Sequence, residues 1–220
     1  MKSNLKVSVV VTAYNEEKHI GRCLRSLLNQ TFPSDAYEII VVDDCSIDRT
    51  AYALSQFAGA IKVISNETNL GLPASINLGL RAARGEYALR VDADDFVNAN
   101  LLQFLHYYLE SNSQTDAVAC DYLLVNDGED VLSRENCFDR PIACGIMFRL
   151  ADMLSVGLYD ESFHLREEEE FRIRYEKKYK ISRLELPLYR YRQHSANMTR
   201  DVDKMNKFSE MLKAKHGRLD

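Results

Sequence analysis

The sequence predicts an α/β protein built on a doubly wound, mostly parallel β-sheet. Two observations favour this fold. Short runs rich in β-branched apolar residues alternate with segments of helical period over the first 92 residues, and polar or acidic residues follow several of the apolar runs. Strands that alternate with helices pair in parallel through right-handed crossovers. In such sheets, ligands bind beyond the carboxyl ends of the strands.

The first half of the chain contains four apolar runs that are nearly continuous, as buried strands are. The predicted strands are 6–13, 37–42, 61–64 and 87–91. Between them, apolar residues recur at the spacing of amphipathic helices. The predicted helices are 15–31, 46–57 and 72–83. Gly85 follows the third helix and is a typical C-terminal stop.

The second half is less regular and predicts a mixture of strands and helices. The predicted helices are 101–109, 147–156, 167–178 and 202–215, and the predicted strands are 117–125, 181–186 and 188–192. The segment 119–143 is interpreted as a mobile lid or loop. Because no internal repeat or clear linker occurs, we expect a single domain over residues 1–220. Its parts are a first half (1–96), a mixed second half (97–200) and a C-terminal helix (201–220).

The charge of the chain bears on its partners. The net charge is −5, which argues against nucleic-acid binding because that function needs a basic footprint. Residues 166–220 nevertheless carry 15 Lys and Arg against 10 Asp and Glu. This excess is explained either by solvated helix faces or by an anionic partner, such as a diphosphate or a membrane surface. The lysines that favour peripheral membrane contact are Lys204, Lys207, Lys213 and Lys215.

Five cysteines without a CxxC pair are typical of reduced thiols in a cytosolic protein. The first residues lack the apolar stretch of a signal peptide, and no apolar run approaches the roughly 20 residues of a membrane helix. We therefore expect a cytoplasmic protein that touches the inner face of a membrane at most peripherally.

Three carboxylates follow the fourth predicted strand, in the segment Asp92-Ala93-Asp94-Asp95. Carboxylates this close repel one another unless a cation lies between them. Mg²⁺ and similar ions prefer one or two carboxylates together with phosphate oxygens. The alternative is a polar loop in which Asp95 caps a helix, but this explains Asp92 and Asp94 poorly. The sequence therefore predicts a metal site at this strand end.

The first two strands also end on polar residues, in the segments 12–16 and 43–44. Asp43 and Asp44 offer acceptors for a base N–H or for ribose hydroxyls, although helix capping is an alternative for both segments. Neither G-x-G-x-x-G nor G-x-x-x-x-G-K-[ST] occurs, which argues against a dehydrogenase and a P-loop NTPase. A metal is the natural substitute for a glycine cradle around a diphosphate.

A glutamate run, residues 167–170, opens the helix at 167–178. A solvated helix start is one interpretation, since acids favour that end of a helix. However, Glu168, Phe171 and Tyr175 share one face, so inward packing of the two rings would turn Glu168 toward the interior or a cleft. Burial among other acids would raise its pKa toward that of a general base.

The end of the last predicted strand carries Arg190 and Arg192 on one face, where they could meet phosphate. His194 follows them. It is interpreted either as a structural residue or as a metal ligand.

Six segments, in order over residues 6–199, resemble the family 2 glycosyltransferases of the GT-A fold, a Rossmann-like architecture. They are VSVVVTAYNEEKHIGRCLRSLLNQTF, YEIIVVDDCSIDRT, NLGLPASINLGLRAARGEYALRVDADD, GLYDESF, EEEEFRIR and LYRYRQHSANMT. The resemblance implies an inverting transfer of sugar from a nucleoside-diphosphate sugar. UDP is the commonest nucleotide in the family, which favours a UDP-sugar. A saccharide or a lipid-linked acceptor in cell-surface polysaccharide synthesis is the implied setting.

The resemblance also implies roles for residues. The first half becomes the nucleotide-binding half, and the second becomes the acceptor and catalytic half. Glu168 matches the base, although many family members have aspartate there. The expected metal ligands for Mg²⁺ or Mn²⁺ are Asp94, Asp92 and His194. The expected donor-binding residues are Thr12, Ala13, Tyr14, Glu16, Asp43, Asp44, Asp92, Ala93 and Arg192.

Two other functions stay open at this point. A sugar-nucleotide pyrophosphorylase has a similar core, but it needs a glycine-rich basic loop where this chain has Tyr14-Asn15-Glu16-Glu17. A non-catalytic module of the same fold is the second alternative, and loss of Asp94 or of the base would favour it.

Overall fold

The computed structural model describes residues 5–193 and 202–217 of the chain. The strands are β1 Val7–Ala13, β2 Tyr37–Asp43, β3 Lys62–Ser65, β4 Tyr87–Asp92, β5 Phe96–Val97, β6 Ala117–Val125, β7 Val131–Glu135, β8 Ile146–Arg149 and β9 Ile181–Arg192. The helices are α1 Ile20–Leu28, α2 Thr50–Ser55, α3 Leu72–Ala82, α4 Leu101–Ser111, α5 Leu150–Val156, α6 Glu167–Glu176 and α7 Val202–His216.

All of these strands belong to one sheet, with the order β3-β2-β1-β4-β8-β6-β9-β5 and with β7 paired to β6. The strands β3, β2, β1 and β4 are parallel. Beyond β4 the sheet is mixed, because β8 is antiparallel to both of its neighbours while β6 and β9 are parallel. The predicted fold, a doubly wound sheet with a mixed second half, is confirmed.

The strand order reverses at β1, which has β2 on one side and β4 on the other. A crevice forms at such a switch point, outside the carboxyl ends of the strands. Thr12 lies opposite both Val42 and Asp92 in the pairing register, and Ala13 lies opposite Asp43. The polar residues that end these three strands are therefore aligned side by side.

Every residue of the central strand β1 is buried, and five of its seven residues are apolar. Helix α3 covers β1 and β2 at close range through Gly79. A Cβ built at this glycine would lie 2.4 Å from Cγ1 of Val10 and 3.3 Å from Cγ2 of Val42. Because interiors are close-packed, no side chain fits there without a shift of the helix.

We therefore expect Gly79→Ala to lower the free energy of unfolding by about 1–3 kcal/mol, as overpacked core substitutions do. Chemical denaturation followed by circular dichroism measures this. The matched control is Gly21→Ala in α1, where the new Cβ would meet only the mobile end of Arg25, at 3.2 Å from Nη1. Alanine favours a helix over glycine by about 1 kcal/mol, so the control should be neutral or stabilising. Equal stability of both variants would contradict this account of the α3 contact.

The predicted helix 147–156 is wrong in its first part. Residues Ile146–Arg149 form β8, and the helix begins only at Leu150. Ile146, Met147 and Phe148 are buried between β4 and β6. A short apolar run of this kind has no period that distinguishes a strand from a helix. Its contacts with β4 and β6 therefore determine that it forms a strand.

The first two helices are shorter than the sequence predicts. Helix α1 begins at Ile20 rather than Asn15, and α2 covers only Thr50–Ser55. Asn15 has a φ of 58°, in the left-handed region, so it cannot begin a right-handed helix. The residues before α1 and α2 form two loops, which contact each other beyond the carboxyl ends of β1 and β2.

The interpretation of 119–143 as a mobile lid is also corrected. The segment contains most of β6, which lies inside the sheet between β8 and β9, and all of β7.

No helix in the described ranges combines the length and the hydrophobicity that spanning a lipid bilayer requires.

Candidate active site

A cleft of about 780 Å³ opens beyond the carboxyl ends of β1 and β4, facing the first turn of α6. This volume suits a substrate-sized ligand. Nine of the residues predicted for the site line it: Thr12, Ala13, Tyr14, Glu16, Asp44, Asp92, Ala93, Asp94 and Glu168. Asp43 and Arg192 are not among its lining residues, and His194 falls outside the described part of the chain.

Thr12 ends β1 at the floor of the cleft, where only 8% of its surface is exposed. Its hydroxyl Oγ1 is buried and has no hydrogen-bond partner among the described residues. Buried hydroxyls are nearly always hydrogen-bonded, so this group is poised for a partner from outside the chain. Its position supports the prediction that Thr12 contacts a ligand.

The loop after β1 is locked to the loop after β2. Asn15 accepts from Ile47 N through its side chain at 2.9 Å, and its own N–H donates to Ser46 Oγ at 3.0 Å. The N–H of Glu16 donates to Thr50 Oγ1 at 2.8 Å. These bonds hold Asn15 in its left-handed conformation. They fix the rim of the cleft on the side of Tyr14 and Glu16.

Asp43 and Asp44 have separate positions. The Asp43 carboxylate accepts from Ser46 N at 3.1 Å, so Asp43 supports the loop after β2. The Asp44 carboxylate lines the cleft and accepts from Leu70 N and Gly71 N, both at 2.9 Å. Asp44 therefore also fixes the entry to α3, a role that the sequence did not reveal.

Asp92 ends β4 and is held by a buried arginine that the sequence analysis missed. Arg90 Nε donates to one oxygen of Asp92 at 2.8 Å, and its Nη1 donates to Glu167 at 2.9 Å. Burial acts to lower the pKa of Arg90, but adjacent negative charge, that of Asp92 first, outweighs it and holds the pKa above its usual range. The sequence did contain an indication of this contact. A charged residue within a predicted buried strand needs oppositely charged or hydrogen-bonding partners.

Asp95 does not cap a helix, because none begins there; that interpretation is wrong. Its carboxylate is 1% exposed and accepts from Tyr189 Oη and from Arg192 N, both at 2.7 Å. Burial, followed by the charges of Asp94 and Asp92, raises the pKa of Asp95. Asp95 thus fastens the acidic segment to β9.

Arg192 was predicted to bind the donor, but the structure gives it another position. Only 3% of its side chain is exposed, and Nε donates to the main-chain oxygen of Asp94 at 2.8 Å. Its guanidinium also donates to the main-chain oxygen of Asp127 at 3.0 Å and lies over the ring of Phe96. Arg192 therefore acts on the cleft through the backbone of Asp94.

The charge of the cleft favours a cation. Seven carboxylate side chains line it against two guanidinium groups, those of Arg90 and Arg166. In the described part of the chain, one possible metal-holding group consists of Asp92, Asp95 and Cys144, whose ligand atoms lie within 4.8 Å of one another. Of these three, Asp92 lines the cleft. Asp95 is hydrogen-bonded to β9, and Cys144 is buried.

Glu168 faces the cleft from the first turn of α6. The inward face predicted for this helix is confirmed, since Phe171 and Tyr175 are fully buried and pack on Phe148. Burial, opposed by Arg172 and reinforced by Glu167, raises the pKa of Glu168 to about 7. Its Oε1 has no hydrogen-bond partner among the described residues, and the nearest guanidinium nitrogen, Nη1 of Arg172, is 3.5 Å away.

Arg166, a second residue that the sequence analysis missed, precedes α6 and lines the cleft. Its φ is 60°, an uncommon backbone conformation that is often found at functional sites. Nη1 pairs with Glu169 at 2.5 Å, while Nε is buried without a hydrogen-bond partner in the described residues.

The sequence model of glycosyl transferase family 2 matches residues 8–181, from β1 to the start of β9. The chain belongs to glycosyl transferase family 2. The cleft of this family 2 chain thus lies where the doubly wound sheet and helix α6 meet, and the GT-A fold expected from the sequence is confirmed.

Similar proteins of known name include two poly(ribitol-phosphate) glycosyltransferases. The chain is 42% identical over 102 residues to poly(ribitol-phosphate) beta-N-acetylglucosaminyltransferase TarS of Staphylococcus aureus, covering 45% of this chain and 18% of TarS. It is 40% identical over 114 residues to poly(ribitol-phosphate) beta-glucosyltransferase of Bacillus spizizenii, covering 50% of this chain and 18% of that protein. The matched region therefore spans only about a fifth of the length of either relative.

Two solved structures share the fold over 96% of this family 2 chain. Staphylococcus aureus TarS 1–349 in complex with UDP superposes with a TM-score of 0.78 at 25% identity, and 65% of that chain is covered. Mannosyltransferase PcManGT from Pyrobaculum calidifontis, in complex with GDP-Man and Mn²⁺, superposes with a TM-score of 0.75 at 18% identity, and 63% of it is covered. The second likeness bears on the fold alone.

Proposed function

We propose that this chain transfers a sugar from a UDP-sugar to a hydroxyl group of a saccharide or lipid-linked acceptor, with inversion at the anomeric carbon. The observation that carries the proposal is the shared cleft. The residues at the ends of β1 and β4 line the same cleft as Glu168, whose pKa is raised. The poly(ribitol-phosphate) glycosyltransferases among the relatives support cell-surface polysaccharide synthesis as the setting.

The donor nucleotide would lie over the ends of β1 and β2. Thr12 offers a buried hydroxyl without a partner in the described chain, and Asp44 offers a carboxylate fixed by two backbone N–H groups. TarS 1–349 binds UDP, which supports uracil as the base. Tyr14, Glu16 and the main chain at Ala13 complete this wall.

The residues fit a divalent cation. Asp92 and Asp94 offer the oxygen ligands that Mg²⁺ and Mn²⁺ prefer, and a cleft lined by seven carboxylates would otherwise repel a diphosphate. When bound, the cation would neutralise charge on the leaving diphosphate. His194 stays a predicted third ligand, outside the described residues.

Glu168 would supply general base catalysis in a single displacement. Its carboxylate would take the proton of the acceptor hydroxyl as that oxygen bonds to the anomeric carbon. The bond from that carbon to the diphosphate oxygen breaks from the opposite face, and the electron pair leaves with the nucleoside diphosphate. One carboxylate base suffices, because no covalent sugar intermediate forms (compare inverting hydrolases, where the second carboxyl acts as the acid).

A panel of nucleotide sugars, incubated with Mn²⁺ and candidate acceptors, tests the proposal through release of nucleoside diphosphate. Transfer to an acceptor with release of UDP is expected. Formation of a nucleotide sugar from a sugar phosphate and a nucleoside triphosphate would favour a pyrophosphorylase instead. Donor binding without release from any donor, across the acceptor panel, would favour a non-catalytic module.

The pKa of Glu168 sets an expected pH dependence. A general base must be ionised, so kcat/KM should fall about tenfold for each pH unit below about 7 and should level off above it. Initial rates of UDP release between pH 5.5 and 9 measure this limb. A flat profile down to pH 5.5, with the protein folded throughout, would contradict the assignment of Glu168.

Peripheral contact with the inner face of a membrane also stays a prediction. In the described part of α7, Lys207 and Lys213 are exposed. Lys215 is engaged within the protein, because its Nζ lies 2.5 Å from Asp160 and 2.7 Å from Glu170. This lysine therefore contributes less to a basic surface than the sequence suggests.

A further inference from the structure

We propose that Arg90 is a positioning residue, which ties the first turn of α6 to the end of β4 and so holds Glu168 across the cleft from the donor. The inference rests on the proposed function, because it assigns Arg90 a part in that reaction. It begins from a buried arginine that bridges two cleft-lining carboxylates, one at the end of β4 and one in the first turn of α6.

The geometry of the bridge is specific. Arg90 reaches Asp92 through Nε at 2.8 Å and through Nη2 at 3.3 Å, and it reaches Glu167 through Nη1 at 2.9 Å. The side chains of Arg90 and Glu167 are 7% and 8% exposed. The planar fork of arginine donates in two directions at fixed angles, which a lysine ammonium does not. The bridge therefore sets both a distance and an orientation between β4 and α6.

Stability alone is a weak reason for such a bridge. Taking charged groups out of water costs several kcal/mol for each ion, and apolar replacements of buried ion triads are often neutral or stabilising. Apolar packing is available here, because Arg90 borders a small pocket lined by Ile76, Phe148 and Tyr159. We infer that the bridge serves the placement of the helix.

The placement matters because of what lies next to Glu167. The rings of Phe171 and Tyr175 fix α6 against the sheet one to two turns further along, but apolar contacts tolerate small rotations and slides. The first turn carries Glu168, whose carboxylate has to reach the acceptor hydroxyl. A misplacement of about 1 Å in such a group costs on the order of a hundredfold in rate. The Arg90–Glu167 contact restrains that turn directly.

A double-mutant cycle tests the proposal with Arg90→Met, Glu167→Met and the double variant. The measured quantities are kcat for UDP release from the best UDP-sugar, affinity for UDP with Mn²⁺ by calorimetry, and the midpoint of thermal unfolding. We expect Glu167→Met to lower kcat about 10- to 100-fold and to change UDP affinity less than threefold. The double variant should be no slower than the slower single variant, because both changes break one contact.

Glu167→Gln is the conservative variant, because its amide oxygen still accepts from Arg90 Nη1. It should restore most of the kcat that Glu167→Met loses, which a general loss of stability would not predict. Arg81→Met is the matched control, since this arginine is exposed and has only a 3.7 Å contact with Glu161. This control should leave kcat unchanged.

Three results would overturn the proposal: an unchanged kcat in Glu167→Met, losses that multiply in the double variant, or equal losses in Glu167→Gln and Glu167→Met. If Arg90→Met does not fold, the comparison of Glu167→Met with Glu167→Gln still tests the proposal. Failure of the wild-type protein to release nucleoside diphosphate from any donor would instead refute the proposed function. UDP affinity and the unfolding midpoint can be measured in that case too.

Discussion

Glu168→Gln should lower the rate of sugar transfer by about 10²- to 10⁴-fold, the range that general acid–base catalysis contributes. The amide has nearly the same shape as the carboxylate but cannot accept the proton of the acceptor hydroxyl. UDP affinity with Mn²⁺ should change little, because the proposed nucleotide contacts, Thr12 and Asp44, lie at the ends of β1 and β2 and not on α6. Transfer kinetics and calorimetry measure the two quantities.

The control is Glu169→Gln, one residue along the same helix. The Glu169 side chain is 41% exposed and pairs with Arg166, so a rate within about threefold of the wild type is expected. A Glu168→Gln variant that transfers sugar at the wild-type rate would remove Glu168 from the mechanism. Loss of rate in both variants would point instead to Arg166 and the helix start.

The substitution Glu168→Gln should also stabilise the folded protein above pH 7. The pKa of Glu168 is about 7 in the folded chain, above its ordinary value of 4.5, so ionisation disfavours the native state. Stability is therefore lost as the pH rises from about 4.5 through 7, and glutamine avoids this loss. We expect a gain on the order of 2 kcal/mol at pH 8 and almost none at pH 4.5.

Asp94→Ala should abolish the Mn²⁺ dependence of UDP binding and lower kcat/KM at least a hundredfold. A metal ligand at this position would contribute several kcal/mol of charge stabilisation, and each 1.4 kcal/mol is about tenfold in rate. Calorimetric titration of UDP in Mn²⁺ and in EDTA measures the dependence. Equal UDP affinity of Asp94→Ala and the wild type in Mn²⁺ would show that another group holds the cation.

Asp127→Asn is the control for this substitution. Asp127 is exposed, and it contacts Arg192 through its main-chain oxygen, which the substitution keeps. It removes one negative charge near the cleft without removing a cleft-lining carboxylate. The Mn²⁺ dependence of this variant should therefore be that of the wild type.

Patterns within short segments of the sequence predicted the fold of the first half of the chain, residues 1–96. The apolar runs that became β1, β2 and β4 are buried on both faces, and their ends are aligned by register, so Thr12, Asp44 and Asp92 could be grouped from the sequence. The inward face of α6 followed from the spacing of Phe171 and Tyr175. In both cases the deciding information lies within about ten residues.

Contacts between distant segments could not be predicted in this way. Asp95 looks like a cap until Tyr189 and Arg192 are placed beside it, and these residues are 94 and 97 positions away. Residues 146–149 became a strand only because β4 and β6 were there to pair with them. Arg90 was the exception, since its burial could be read from the strand and only its partners could not.

The attachment of Asp95 to β9 has a consequence for synthesis on the ribosome. The strands β1 to β4 emerge first, but Arg192 follows Asp95 by 97 residues. At about 5–20 residues per second, the acidic segment waits roughly 5–20 s for the strand that secures it. During that interval the nascent chain exposes the edge of β4, which β8 later covers, and such edges favour aggregation. Fragments that end before β8 should therefore need a chaperone rather than a ligand to remain in solution.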